Sequence, residues 1–344
     1  MQASLLLLEL AGPELTADEI ALVRDLQPVG FVLGARNLIG PEQTRRLTDA
    51  LRNLSRRQPL VALAGHPATL GGIAPTLPTP GALAAHGNAK TIGTAGLLTG
   101  ELLRMLGINF HFAPVLDLDR EPAALEEQLE PGWGRDPQRV IDHAGQWNRW
   151  VRKRGVASCA GCFPASGRAA TGSEHGFPVV TATLAELLRE DLLPYTALMP
   201  ELDAIRVGHV VASELDADLP ASLSPRVIRR LLRDQLGFDH HLVLPDDLAH
   251  AEVTRCFGPG PAVRLALEAG NDLVRVGPQP AAVRAAAAAL ATLPHLILAE
   301  AWERVERLRD KLHWPLPWAP GKLAETTAKL AALAGQVSES NAGP

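Results

Sequence analysis

The sequence predicts an α/β protein: a TIM-type (β/α)8 barrel in a single domain, with a C-terminal helical extension. Eight short apolar runs alternate with longer amphipathic stretches as far as Gly277, the pattern of repeated strand–helix units. Each run is rich in Leu or β-branched residues, and several end in Gly, Pro or Asp. Buried parallel strands read this way because both of their faces are covered. The length of 344 residues suits one large barrel with appendages, and 47% hydrophobic residues can fill a sizeable core.

The first run, "LLLLEL", lies in the N-terminal "MQASLLLLELAG". That stretch is too short for a signal peptide, lacks a positive leading region and carries Glu9, so it reads as a first buried strand. "TADEIALVRDL" follows as a helix, with Thr16 as N-cap and Glu19 three residues on, a capping box. The second strand, "GFVLG", leads to the helix "GPEQTRRLTDALRNL", with Pro41 near its start. "LVALAG", "FHFAPVLD", "VASCAG" and "AIRVGHVV" supply strands three to six. The connections from strand three to four and from four to five are long and should carry extra structure. "SPRVIRRLLRDQLGF" is a helix capped by Ser224, with Pro225 in its first turn and Gly237 at its end. "HLVLPDD" and "NDLVRVG" complete the eight. Beyond them "PAAVRAAAAALATL" should be the last barrel helix, and the later helical stretches should pack outside. The expected division is a barrel over 1–312 and a helical tail over 313–344, with the terminal "VSESNAGP" disordered. No repeat or second core is evident.

Composition narrows the function classes. Lys and Arg number 33 against 38 Asp and Glu, a net charge of −5, so no basic footprint for nucleic acid is expected. Clusters such as "RRLLRD" fall on helical periodicity and read as solvated faces. No segment approaches the roughly 20 apolar residues of a membrane span. Three cysteines give no disulfide framework, and a reduced cytoplasmic setting is expected.

In such a barrel, chemistry gathers at the C-terminal ends of the strands. The seventh run ends in Asp246-Asp247. Asp246 suits a nucleophile, base or metal ligand; the alternative is that Asp247 caps the next helix and Asp246 accepts backbone hydrogen bonds. The sixth run leads to His209, an acid, base or donor in the mouth, or a satisfied core histidine. Cys159 and Cys162 form a C-x-x-C, but no helix starts directly after them and a zinc site needs about four ligands. They read as two small residues ending a buried strand, and neither metal nor cofactor is expected. "GSEHG" holds Glu174 and His175 between glycines, either a mobile acid/base loop or a surface turn.

Taken in order, "GFVLGARN", "GINFHFAPVLDLD", "LDAIRVGHVV" and "LSPRVIRRLLRDQLGFDHHLVLPDDL" resemble family 3 glycoside hydrolases over most of the chain. The resemblance is in particular to the single-domain bacterial β-N-acetylglucosaminidases (β-hexosaminidases) of cell-wall recycling. It implies a retaining mechanism in which one carboxylate forms the glycosyl-enzyme and a second group protonates the leaving oxygen. Asp246 takes the nucleophile's place in Pro245-Asp246-Asp247-Leu248. Other positions depart from the pattern. V-D-Q-E-G-G-R becomes "LAGHPAT", with Ala64 for the sugar-binding Asp and Thr69 for the Arg. E-R-S-F becomes Glu130-Pro131-Gly132-Trp133, and K-H-F-P-G-H-G becomes "GCFPASG", with Gly161, Cys162 and Ser166 for Lys, His and His. The D-S-H of the acid/base loop aligns with Gly172-Ser173-Glu174, and only a one-residue slip brings His175 to the histidine's place.

At roughly 1.5–3 kcal/mol per charged hydrogen bond, four lost contacts amount to about 6–12 kcal/mol, against about 4–8 kcal/mol for a millimolar-to-micromolar sugar affinity. The sequence therefore points to a barrel impaired or inactive as a β-N-acetylglucosaminidase, a pseudoenzyme that acts by binding. Its ligand would be an amino-sugar or muropeptide-like molecule, or a protein partner, with Asp246 and His175 as catalytic candidates and His209 and Glu130 as substrate-binding ones. The alternative is an active glycosidase with a rebuilt site using Asp246 and His175. Because Pro131, Gly161 and Thr69 offer no cation, Asp246 is expected to face less positive potential than a family nucleophile.

Overall fold

A computed structural model describes residues 4–65, 72–73, 76–120, 132–170 and 176–342. Eight parallel strands form the expected sheet: β1 (Ser4–Glu9), β2 (Pro28–Leu33), β3 (Leu60–Leu63), β4 (Phe110–His111), β5 (Ala157–Phe163), β6 (Ala204–Val207), β7 (Leu242–Pro245) and β8 (Val274–Val276). Ladder hydrogen bonds run in the order β8-β1-β2-β3-β4-β5-β6-β7. β2, β3, β6, β7 and β8 are buried along their whole length, which explains their continuous apolar runs.

The barrel closes between β7 and β8 without a ladder. There the Asp272 amide donates to Val243 O at 2.7 Å, and Asp272 Oδ2 accepts the Val243 amide at 2.8 Å. A side-chain carboxylate thus takes the place of a strand carbonyl. It is buried and held further by Arg233 at 2.8 Å and Arg304 at 3.0 Å.

The helix signals act as read. Thr16 and Glu19 form the capping box that starts Ala17–Leu26. The Ser224 hydroxyl accepts the Val227 amide at 3.2 Å at the head of Arg226–Gln235, and Gly237 ends that helix at φ +79°. The long connection from β3 to β4 carries an extra helix, Pro80–His86, and a short parallel pair, Val179–Val180 with Val211–Ala212, lies outside the barrel.

One expectation is corrected at the C-terminus. The last helix runs from Pro320 to Ala342, through the described part of the stretch expected to be disordered. Its apolar stripe decides this: Leu330 and Val337 are fully buried against the helices Pro80–His86 and Ala89–Met105, and Asn341 Nδ2 donates to Ala82 O at 3.0 Å.

Candidate active site

Asp246 stands at the mouth end of β7. Its amide donates to Val207 O at 2.9 Å, extending the β6–β7 pairing by one residue and fixing where the carboxylate begins. Its Oδ1 receives Arg206 Nη1 from β6 at 3.4 Å, Arg275 Nη1 from β8 at 3.3 Å and the Asp247 amide at 2.9 Å. Cys162 Sγ lies 3.8 Å from Oδ2. Burial alone would raise the pKa of this carboxyl; Arg206, Arg275, His209 and the Asp247 amide outweigh it and hold Asp246 well below the usual carboxylate range.

Asp246, expected to lack cationic neighbours at the loop positions Pro131, Gly161 and Thr69, has two arginine neighbours from elsewhere. The cations come not from the family's loop positions but from inside two strands. Arg275 is anchored by Glu9, which also pairs with Arg36. An alternating row, Arg36–Glu9–Arg275–Asp246–Arg206, therefore crosses the mouth. Arg206 lies on the Phe112 ring, 5.5 Å from its centroid, and against Gly161, where a Cβ would sit 3.0 Å from Arg206 Nε. The guanidinium thus fills space beside the position that resembles the family's lysine. A signal was present in the sequence: an Arg inside "AIRV" and inside "LVRV" is a charge in a buried strand, which requires a partner.

The loop "GCFPASG" is held from behind by Asp117, which ends the "FAPVLD" run. Its carboxylate accepts the Cys162 amide, the Gly167 amide at 3.3 Å and the Tyr195 hydroxyl at 3.0 Å. Burial pushes Asp117 up to about 6, against the hydrogen bonds from Tyr195 and the loop amides. Gly167 must lack a side chain here, since a Cβ would lie 2.2 Å from Leu118 O. Ser166 turns its hydroxyl inward and donates to Cys162 O at 3.1 Å.

His209 is beside Asp246, as the strand order requires. Nε2 lies 2.8 Å from Asp247 O and Nδ1 2.7 Å from the Ser222 hydroxyl. Burial lowers its pKa, and this network fits a neutral ring with the proton on Nε2, which donates to the carbonyl. One nitrogen thus holds the segment that follows β7 and the other the Ser222 loop that follows β6, a positioning arrangement. Asp247 accepts the Ala249 amide at 2.9 Å, a turn one step ahead of the helix Ala251–Phe257, which has no side-chain cap. Burial raises the Asp247 pKa, the reverse of its neighbour.

Ala64 is buried at the mouth end of β3 and presents only a methyl group. Cys159 is buried within β5. His175 and Glu130, together with Thr69, Pro131 and Gly172 to Glu174, lie outside the described residues.

A family model, the glycosyl hydrolase family 3 N terminal domain, matches residues 4–308. The beta-hexosaminidase of Pseudomonas aeruginosa is 31% identical over 315 residues, covering 90% of this chain and 92% of that protein. The beta-hexosaminidase of Methylococcus capsulatus is 32% identical over 275 residues, 78% of this chain and 81% of that protein. Among solved structures, a glycoside hydrolase family 3 beta-N-acetylglucosaminidase from a Paenibacillus species superposes with a TM-score of 0.86 at 25% identity, covering 98% of this chain and 67% of that one. Native NagZ from Neisseria gonorrhoeae gives 0.80 at 25% identity, covering 96% and 98%.

Proposed function

The chain belongs to glycoside hydrolase family 3, and on that premise we propose that it is a barrel impaired or inactive in β-N-acetylglucosaminide hydrolysis that acts by binding. The observation that carries this reading is the clamp on Asp246. A carboxylate whose charge is shared with two cations is a weaker nucleophile than a free one, because attack on the anomeric carbon spends the charge that those cations stabilise. Asp246 has a guanidinium on either side sharing one oxygen, both from buried strand positions. The positions that resemble sugar-reading groups support the same reading: Ala64 has no acceptor, Gly161 has no side chain, and the Ser166 hydroxyl is spent on its own loop. The NagZ protein of Neisseria gonorrhoeae has been solved with N-trifluoroacetyl-D-glucosamine, and an amino-sugar or muropeptide-like ligand is the proposed occupant of this mouth. A cytoplasmic setting and a part in cell-wall recycling go with the same proposal.

A second reading is favoured by one fact: Asp246 keeps 27% of its side chain exposed and is held ionised, as a nucleophile must be. In that reading the site is rebuilt around Asp246, with His175 as the acid. Turnover of a chromogenic N-acetylglucosaminide by the wild type, measured against Asp246→Asn, separates the two.

A further inference from the structure

Two buried guanidiniums converge on one point of the barrel mouth. The Arg206 side chain is 7% exposed and that of Arg275 is 10% exposed, whereas that of Asp246 between them is 27% exposed. Both arginines are preorganised. Arg275 Nε is fixed by the buried Glu9, and Arg206 rests on the Phe112 ring in space that Gly161 leaves open. Their contacts to Asp246 are long, 3.4 and 3.3 Å to a single oxygen, where a tight charge-assisted pair closes to about 2.7–2.9 Å and a guanidinium fork would take both carboxylate oxygens. The arginines are therefore the fixed part of the cluster, and the acid is its more solvent-facing member. Ala64, where the resemblance calls for a hydroxyl-binding carboxylate, offers a neutral sugar no acceptor.

We infer that this mouth receives an anionic saccharide, whose carboxylate or phosphate group is taken by Arg206 and Arg275, with Asp246 as their resident counter-anion. The inference deepens the binding reading and rests on it. Fixed, desolvated guanidiniums recognise an oxyanion by charge and by planar hydrogen bonding, and they give a neutral sugar no comparable gain. Asp246 competes with the ligand for the same donors.

Isothermal titration of the full chain with N-acetylglucosamine, N-acetylglucosamine 6-phosphate and N-acetylmuramic acid tests this. At least one anionic sugar should bind about tenfold or more tightly than the neutral one, and which one wins distinguishes phosphate from carboxylate. Asp246→Asn should bind the preferred anionic sugar still more tightly, by about fivefold or more. Arg206→Met and Arg275→Met should lose the preference, and Arg206→Lys should keep part of it. Equal binding of all three sugars, no binding of either anionic one, or weaker anionic binding by Asp246→Asn would each overturn the inference; the wild-type comparison decides it even if an arginine variant does not fold. Turnover in the chromogenic assay would instead sink the reading of an impaired enzyme, so the two failures are distinguishable.

Discussion

Arg275 and Asp246 meet across the seam of the barrel that has no strand ladder, with Nη1 of the first 3.3 Å from Oδ1 of the second. At the other end of the same seam Asp272 substitutes for a missing strand carbonyl. Charged side chains thus join β7 and β8 beside the backbone bonds from Asp272 N to Val243 O and from Leu248 N to Arg275 O. One of those side-chain contacts is structural, and the other holds Asp246, the proposed nucleophile.

The first prediction concerns turnover. Aryl β-N-acetylglucosaminides should show no hydrolysis above an Asp246→Asn control. On the proposed reading no general acid serves the site, which alone costs about 10²–10⁴ in rate, and Asp246, the proposed nucleophile, shares its charge with two arginines. Should Asp246-dependent turnover appear, His175→Ala ought to cripple it for a poor leaving group and spare an activated aryl one.

Acid stability should report the clamp. The folded-state pKa of Asp246 is depressed, so its contribution is fully present above the unfolded value of about 3.9 and is lost progressively as pH falls from there through the folded value. The Tm of the wild type should therefore drop more steeply below about pH 4 than that of Asp246→Asn. Parallel profiles would mean that the arginines do not stabilise the ionised acid.

Asp117 behaves oppositely. Its folded pKa is raised to about 6, so the stability linked to it is full below the unfolded value and declines as pH rises through 6. Tyr195→Phe removes a hydrogen bond that lowers this pKa, so the Asp117 carboxyl midpoint read by NMR should move higher still. The same change should cost about 1–3 kcal/mol in urea unfolding, because a buried acceptor loses its donor.

Gly167→Ala should destabilise the chain by about 1–3 kcal/mol, since its Cβ would collide with a backbone carbonyl that cannot swing aside. An unchanged urea midpoint would show that the loop can move away from Leu118.

Asp272→Ala removes the acceptor for Val243 and the carboxylate partner of the buried Arg233, while Arg304 keeps Asp239. Breaking such an ion pair costs about 3–5 kcal/mol, and Asp272→Asn should cost less. Loss of cooperativity in the unfolding curve would further place the weak point at the seam.

The element order and the position of Asp246 and His209 at neighbouring strand ends were legible in the chain, because helix caps and buried-strand runs are local signals. Thr16 with Glu19 starts a helix whatever lies across the barrel, and "LVLP" is apolar because both faces of β7 are covered. The order of the C-terminal stretch was not legible, because a chain end carries no local signal of its anchor and Val337 is covered in a helix that packs on helices more than two hundred residues earlier.

The sequence by itself determined the barrel, its family and which carboxylate ends the seventh strand. Tertiary structure alone decided the electrostatics of the mouth. Arg206 and Asp246 are 40 residues apart, Asp246 and Arg275 29, and Glu9 and Arg275 266. Periodicity reports whether a position is buried. It does not report which distant charge is buried beside it, and the Coulomb energy that sets the state of Asp246 depends on that distance through space.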